Sequence, residues 1–237
     1  MDMANVDTRN QKHKPTLRLD WCSYAAAKYA VEHWHYSRRM PAGKMAHIGV
    51  WEDTAFIGSL LFSSSACPWL GSPYGLTQFQ ACELVRIALT DHESAVSRVI
   101  AIATRMIAKE FPKLRLVVSY ADPEHGHHGG VYQAANWTCV GASAPKWTAN
   151  GQHNRAFGTS ITKARQRFGD TVKIVMHAPK HKYLYPLDDE MRIQIAPLAK
   201  PYPKRPRAGS IEVDAPTFHV GEDGPLPISA LQETAAA

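Results

Sequence analysis

Residues 114–137 have the sequence LRLVVSYADPEHGHHGGVYQAANW, which predicts a buried strand, a polar loop and a helix in succession. The apolar run at 114–118 favours the strand, and Pro123 with three glycines breaks regular structure before helical spacing resumes at Val131. One aspartate and three histidines therefore lie just beyond the carboxyl end of a strand. Open α/β sheets bind their ligands at this position, so we expect the functional site here.

The hydrophobic patterns on both sides of this segment predict a mixed α/β fold with the order β-α-β-β-β-α-β-α-β-β. They include a helix over 24–33 that Ser23 can cap and a long helix over 95–111. This order resembles that of the GNAT acyltransferases, so we expect a GNAT-like mixed central sheet flanked by helices. The resemblance also implies a glycine-rich loop for acyl-CoA before the long helix. Residues 90–98 contain two acids and no glycine there, which argues against acyl-CoA as a cofactor.

Composition and proline content divide the chain into three predicted parts. Residues 1–14 form a flexible N-terminal segment, residues 15–196 a GNAT-like catalytic domain, and residues 197–237 a Pro-rich extended tail. The hydrophobic share of 45% and the charged share of 20% are typical of a soluble globular protein. Neither an apolar run of membrane-spanning length nor a secretory signal is present, and the four cysteines are scattered, so we expect a cytoplasmic protein that does not bind membranes.

The charge distribution favours a polyanionic partner. All 27 lysines and arginines lie within residues 1–207, whereas five of the 21 acids lie beyond Arg207, so the first 207 residues carry a net charge of +11. Nucleic acid is the commonest partner of so basic a body. The phosphates would be contacted by cationic side chains, and an aromatic side chain could stack on an extruded base. The candidate DNA-binding residues, each of which could also be a solvated surface cation, are Arg38, Arg39, Arg155, Lys163, Lys180 and Lys182.

His35, Tyr36 and Asp122 are the candidate metal ligands. Imidazole, phenolate and carboxylate are nitrogen and oxygen donors suited to iron, and an incomplete protein shell leaves positions for substrate or oxygen. A loop after the first helix and a loop after a central strand can meet at one end of the sheet. The alternative is that His35 and Tyr36 belong to a polar loop and that Asp122 caps the next helix.

Further candidates surround these ligands. At most two of the three adjacent histidines can face one ion, and we take His127 as a substrate-side residue, with an exposed loop as the alternative. Tyr132 opens the helix and its hydroxyl could project towards Asp122, or its ring could belong to the core. The remaining candidates are Asn136, four residues later on the same helical face, Ser119 as a substrate-binding residue, and Arg86. Because Glu83 and Arg86 lie three apart on a strand, we expect them on opposite faces of the sheet.

Several of these motifs together resemble the Mom family of DNA-modification proteins of Mu-like phages. The resemblance covers about residues 15–190, and its most specific block runs from Tyr120-Ala121-Asp122 to Asn136-Trp137. The other matching pieces are His35-Tyr36-Ser37, Glu83-Leu84-Val85-Arg86, Gly126-His127-x-Gly129 and Lys182-Tyr183-x-Tyr185-Pro186-Leu187.

The resemblance implies an enzyme that converts adenine in DNA to N6-(carbamoylmethyl)adenine and so protects phage DNA from host restriction. It further implies an iron site formed by His35, Tyr36 and Asp122, with Tyr132 and Arg86 as supporting catalytic residues, in the cytoplasm of the bacterial host. A homodimer is possible through an exposed edge strand. Two alternatives stay open: an acyl-CoA-dependent N-acyltransferase of GNAT type, and a DNA-binding protein without catalytic activity.

Overall fold

The computed structural model describes residues 14–64, 67–169 and 171–205. The predicted flexible segment at 1–14, apart from residue 14, lies outside these ranges. Within them the strands and helices are β1 (Leu17–Trp21), α1 (Tyr24–Trp34), β2 (Met45–Glu52), β3 (Ala55–Ser63), β4 (Ala81–Leu89), α2 (Val96–Glu110), β5 (Leu116–Ala121), α3 (Gly130–Ala134), β6 (Thr138–Ala142), β7 (Lys146–Ala149), β8 (Gln152–His153), α4 (Ile161–Phe168), β9 (Ile174–His177), β10 (His181–Pro186) and α5 (Asp189–Ile195).

Seven strands form the central sheet in the order β1-β2-β3-β4-β5-β10-β6. Strands β1 to β4 are antiparallel neighbours, β4 and β5 run parallel, and β10 lies antiparallel between β5 and β6. Parallel neighbours need a crossover connection, which the long helix α2 supplies between β4 and β5. The mixed α/β sheet flanked by helices that the sequence predicts is therefore confirmed.

Apolar helix faces cover the sheet. Helix α2 packs Val99, Ile100 and Ile107 into the largest cluster, together with Trp137 and Tyr183. Helix α1 presents small alanines to a second cluster, and α5, which the sequence patterns did not predict, belongs to a third. The predicted cap of α1 is confirmed, because the Ser23 hydroxyl accepts a hydrogen bond of 3.2 Å from the amide of Ala26. These contacts fix the ends of α1 and β5 from which the site is built.

Strands β4 and β5 separate part-way along their length and so open the sheet. Their parallel pairing runs from Ala81 and Leu116 to Glu83 and Val118. Beyond that point β4 continues beside β3, and β5 continues beside β10. Separation leaves backbone groups between the strands unpaired, and the buried hydroxyl of Ser119 satisfies one of them by donating to the Leu84 carbonyl at 2.8 Å.

A β-bulge in β4 corrects the predicted orientation of Glu83 and Arg86. Successive residues of β3 pair with Arg86 and then with Leu84, which leaves Val85 as an extra residue. Leu84 and Ile87, three apart across the bulge, both pack on the α2 side, although an unbroken strand would turn them to opposite faces. The bulge also lies between Glu83 and Arg86, so a spacing of three residues no longer turns these two side chains to opposite faces of the sheet.

A small second sheet, β8-β7-β9, and helix α4 form an insertion between β6 and β10. Its own apolar cluster contains Trp147, Ala149, Phe157 and Ala164. The sequence patterns predicted a strand at residues 172–176, which agrees with β9, but they left residues 143–170 unassigned because the strands there are too short to establish a clear period. Residues 143–180 contain seven lysines and arginines and a single acid, so the insertion is the most basic part of the fold.

The described start of the predicted tail packs on the α/β domain. The amide of Lys200 donates to the Cys139 carbonyl at 2.8 Å, and the Tyr202 hydroxyl donates to the Trp137 carbonyl at 2.9 Å. The rest of the predicted tail, 206–237, lies outside the described residues. In the ranges that the model describes, every helix is too short or too polar to span a bilayer.

Candidate functional site

A cleft of about 820 Å³ opens where β4 and β5 separate. The end of α1, the bulged part of β4, the end of β5 and the histidine-rich loop line it. The cleft thus brings together residues that are distant in the sequence. Six of the predicted site residues line it: His35, Tyr36, Arg86, Asp122, His127 and Tyr132.

His35 is the C-cap residue that directly follows α1, and it is buried, with 7% of the residue exposed. Its Nδ1 lies 2.8 Å from the Ser37 hydroxyl and also accepts from the Ser37 amide at 3.1 Å. Burial, with the positive charge of Arg86 as a second cause, lowers the pKa of His35 to about 3. The imidazole is therefore neutral at physiological pH. Ser37 was not among the predicted residues, although its position two residues after the histidine is the signal that points to it.

Tyr36 lies at the mouth of the cleft between two imidazole rings. Its ring centroid is 4.2 Å from that of His35 and 4.2 Å from that of His125. Burial raises the pKa of its phenol, and the Asp122 carboxylate adds to this effect, whereas the Lys180 ammonium opposes it. Tyr36 is therefore a neutral phenol in the free protein, with its ring position fixed by stacking.

Asp122 directly follows β5 and is buried, with 5% exposed. Its Oδ1 accepts from the Glu124 amide at 3.1 Å, so the predicted capping role is present, although the capped element is a short 3-10 turn. Its Oδ2 lies 2.5 Å from the Nζ of Lys180. Lys180 was predicted to contact DNA from the surface, but here its ammonium is bound by this carboxylate. The sequence could not indicate the pair, because 58 residues separate its members.

Arg86 enters the cleft from the bulged part of β4. Its guanidinium donates to the carbonyls of Val85 at 2.7 Å and Arg39 at 3.4 Å, while its buried Nε has no hydrogen-bond partner. No ion pair joins it to a carboxylate among the residues that the model describes. Burial lowers its pKa, with Tyr36 and Glu83 opposing the shift. A half-buried guanidinium whose Nε is buried without a hydrogen-bond partner is suited to binding an anionic group.

Tyr132 and Ser119 form a buried hydrogen-bonded pair at the back of the cleft. Their hydroxyl oxygens are 2.8 Å apart, and burial raises the pKa of Tyr132 to about 12. Ser119 does not line the cleft and its hydroxyl is already bonded on both sides, so it positions Tyr132 and does not face a substrate. Asn136 also lies outside the cleft. Its predicted helical spacing from Tyr132 is wrong, because α3 ends at Ala134 and Asn136 is exposed with a φ of 60°.

The side chains of the histidine-rich loop, which contains His125, His127 and His128, lie in two places: in the cleft and on the ring of Tyr36. His127 and His128 line the cleft, whereas His125 stacks on Tyr36. His127 is exposed at the rim, where a substrate could reach it. The backbone of the loop is held by Tyr183, whose hydroxyl donates to the His128 carbonyl at 2.7 Å.

The predicted DNA-binding residues are dispersed. Arg38 and Arg39 are exposed just beyond α1 and close to the mouth of the cleft, and Lys163 is exposed on α4. Lys182 is half-buried and places its ammonium 5.0 Å from the ring centroid of Tyr74, away from the cleft. The Arg155 side chain lies outside the described part of the structure.

Comparison with known proteins identifies the family. A family model described as the Mom protein family matches residues 16–204. The chain belongs to the Mom protein family. Among curated proteins, the methylcarbamoylase mom of Escherichia phage Mu is 31% identical over 130 residues, which are 53% of this chain and 54% of that protein. The alignment thus spans about half the length of the relative.

Among solved structures, the chain is similar to FeeM, an N-acyl amino acid synthase from uncultured soil microbes. The two share 12% sequence identity with a TM-score of 0.46, and the match covers 76% of this chain and 95% of FeeM.

The donor set of this Mom family protein is compatible with the iron that the family resemblance implies. Of the described residues, no three His, Cys, Asp or Glu side chains lie together as a ready metal cluster. The proposed set instead mixes imidazole, phenol and carboxylate. Nδ1 of the neutral His35 accepts from the Ser37 amide, so Nε2 carries the ring proton in the free protein. Iron binding through Nε2 would require that proton to move to Nδ1, where the Ser37 hydroxyl could accept a hydrogen bond. Asp122 already binds one cation, the Lys180 ammonium.

Residues 90–98, which correspond to the acyl-CoA loop of the acyltransferases, already bind a carboxylate of the same chain through their backbone amides. The amides of Glu93 and Ser94 donate to the Glu52 carboxylate, with the shortest distance, 2.6 Å, from Ser94. Amides at this position would otherwise be available to a phosphate group. Glu52 was not among the predicted residues, and its contact spans 42 residues of sequence.

Proposed function

We propose that the chain is a DNA-modifying enzyme that attaches a carbamoylmethyl group to N6 of adenine in double-stranded DNA and so protects phage DNA from restriction. The observation that carries the proposal is that the motifs shared with the Mom family, from His35-Tyr36 to Asp122 and Tyr132, line one cleft. The name of the phage Mu relative, methylcarbamoylase, refers to a group made of the same methyl and carbamoyl parts and so supports transfer of a group of this composition.

The chemistry requires a site of this kind. The N6 amine of adenine is a poor nucleophile because its lone pair is delocalised into the ring. The amine is also stacked and paired inside the duplex, and extruding the base costs about a few kcal/mol. Contacts between basic side chains and phosphates offset this cost. The cleft volume of about 820 Å³ lies within the range of roughly 300–1,000 Å³ common for small-molecule sites, so an extruded base and a small donor can be accommodated together.

The side chains that line the cleft have different proposed roles. His35, Tyr36 and Asp122 would hold iron, which when bound would supply Lewis-acid or redox activation of the carbon donor. Arg86 offers a guanidinium with an unpartnered Nε to an anionic group of donor or nucleotide. Tyr132 remains a protonated phenol because its pKa is raised to about 12, so it donates a hydrogen bond into the cleft or to Ser119 and does not act as a base.

An acyl-CoA-dependent acyltransferase is the less supported alternative. Its pyrophosphate would need the amides of Glu93 and Ser94, which donate to Glu52 in this fold. The glycines that bring such amides close to a diphosphate are also absent from residues 90–98.

Expression in bacteria, followed by nucleoside digestion and mass spectrometry of the host DNA, tests the proposal. We expect a modified deoxyadenosine with the wild type and its loss in His35→Ala, Tyr36→Phe and Asp122→Ala. Removing a group that acts on the reacting atoms lowers the rate by about 100-fold or more, which brings the product below detection.

Controls of the same residue types separate chemistry from folding. His33→Ala, Tyr24→Phe and Asp91→Ala change exposed side chains outside the cleft and should leave the modification intact. Circular dichroism of all six variants should report a folded protein. Unmodified DNA from a folded, iron-replete wild type would contradict the proposed function.

A further inference from the structure

Lys180 places an ammonium group on the carboxylate that the iron site needs. Its Nζ is 2.5 Å from Asp122 Oδ2, and the two side chains are 33% and 6% exposed. Of the ion pairs that the described residues form, this one has the most buried carboxylate. The Asp122 charge is therefore compensated from within the chain, by a cation that itself still reaches solvent.

The position of Lys180 links the cleft to the basic insertion. Lys180 lies where the insertion rejoins β10, and its backbone is fixed by two hydrogen bonds with Ser143, of 3.0 Å and 2.8 Å. Glu124 lies two residues after Asp122, and its carboxylate accepts a hydrogen bond of 2.5 Å from the amide of Ala178. The turn that carries Asp122 and the strand that ends the insertion are therefore tied together, while the long Lys180 side chain can change partner without moving either backbone.

A metal ion and the Lys180 ammonium cannot share the same carboxylate oxygen, because the two positive charges would repel each other at contact distance. Asp122 Oδ1 already accepts from the Glu124 amide, so Oδ2 is the oxygen left for a metal ion, and metal binding there requires the ammonium to leave. Departure is costly when no other anion is near, because breaking a partly buried ion pair leaves charges uncompensated. A DNA phosphate beside the insertion would provide such an anion, and the exposed part of Lys180 would be accessible to it.

We propose that Lys180 exchanges partners, from Asp122 in the free protein to a DNA phosphate in the complex, so that DNA binding strengthens metal binding in the cleft. The inference rests on the proposed function, since it takes both iron and DNA from it. Coupling of two binding events is reciprocal, so the bound metal would also strengthen DNA binding by the same factor. Coordination would then be favoured only when substrate DNA is present.

The test measures Fe²⁺ affinity without measuring catalysis. Full-length protein competes with a coloured Fe²⁺ chelator under anaerobic conditions, with and without a short duplex oligonucleotide, and a DNA-only titration is subtracted. For the wild type we expect DNA to tighten Fe²⁺ binding by about tenfold. Without DNA, Lys180→Gln should bind Fe²⁺ as tightly as the wild type does with DNA, and adding DNA should not tighten Fe²⁺ binding by the variant any further. The matched control, Lys173→Gln, removes an exposed lysine of the insertion and should behave as the wild type.

Two results would overturn the inference. If the wild type and Lys180→Gln bind Fe²⁺ equally, with no effect of DNA on the wild type, Lys180 does not compete with the metal, and the iron site itself still stands. If neither protein binds Fe²⁺ under any condition, the iron site fails as well, and the mass-spectrometric test of DNA modification then decides separately whether the proposed function survives. If the variant does not fold, the wild-type titrations still test the inference, because the absence of any DNA effect on Fe²⁺ affinity would overturn it.

Discussion

His35 shows what burial of one titratable side chain costs. In the unfolded chain its imidazole takes up a proton near the ordinary pKa of 6.5, whereas the folded protein resists protonation until about 3. Between these values the unfolded state binds more protons, so the folded state loses stability as the pH falls. The loss from this one group approaches about 1.4 kcal/mol per pH unit.

We therefore predict that His35→Asn, which cannot titrate, flattens the acid side of the stability profile of the metal-free protein. Urea unfolding at about pH 7 and about pH 5 gives the slope for the wild type and the variant. The wild type should lose more free energy of unfolding between the two values than the variant does. His33→Asn, in an exposed position on α1, is the control and should keep the wild-type slope. Equal slopes for wild type and His35→Asn would contradict the burial argument.

At the scale of elements, the glycine loop between β5 and α3 depends on one close approach. Gly129 has a φ of 85°, and a Cβ at this position would overlap the ring of Tyr183, which is fully buried. Gly126 has a φ of 71°, but a Cβ there would meet open space. The two glycines share a left-handed backbone and differ in packing, which makes them a matched pair.

Gly129→Ala should cost about 2–4 kcal/mol of unfolding free energy, from the left-handed backbone together with overpacking against Tyr183. Gly126→Ala should cost only the backbone part, about 1 kcal/mol. Chemical denaturation of both variants checks the difference. Similar costs would mean that the Tyr183 ring can move aside, and the hydroxyl contact with His128 would then not hold the loop.

The elements also show what the sequence could predict. The long periodic patterns of α1, α2 and the central strands agree with the structure because burial of one helix face or strand face sets the period. Those patterns could not reveal the extra residue at Val85, since a bulge changes the orientation of side chains without changing residue types. The predicted helical spacing of Tyr132 and Asn136 was also wrong, because α3 ends at Ala134 and does not reach Asn136.

The site was predictable to the same limited extent. The chemistry-bearing residue types at 35, 36 and 122 suggested which loops meet, and the fold places them in one cleft. Contacts that depend on tertiary structure alone were not predictable. They include the ammonium of Lys180 on Asp122 and the Glu52 carboxylate on the amides of Glu93 and Ser94. Neither pair leaves a local signature, because each joins segments that the sheet brings together.

At the scale of the whole molecule, charge is concentrated on one part of the surface. The insertion at 143–180 carries seven basic residues against one acid, and α4 exposes Lys163 and Arg165. This surface adjoins the cleft, because the turn after Asp122 is hydrogen-bonded to Ala178 at the end of β9. DNA bound along the insertion would therefore lie beside the site.

We predict that Lys163→Gln together with Arg165→Gln weakens duplex DNA binding without changing the fold. Each phosphate contact contributes about 0.9 to the slope of log K against log salt concentration, so losing two contacts should lower that slope by roughly 1.8. Fluorescence anisotropy with a labelled duplex at several salt concentrations measures both the affinity and the slope. The control pair, Arg105→Gln with Lys109→Gln, removes the same charge from exposed positions on α2 that belong neither to the insertion nor to the lining of the cleft. If both pairs weaken binding equally, only net charge matters, and the insertion is not the surface that positions DNA over the cleft.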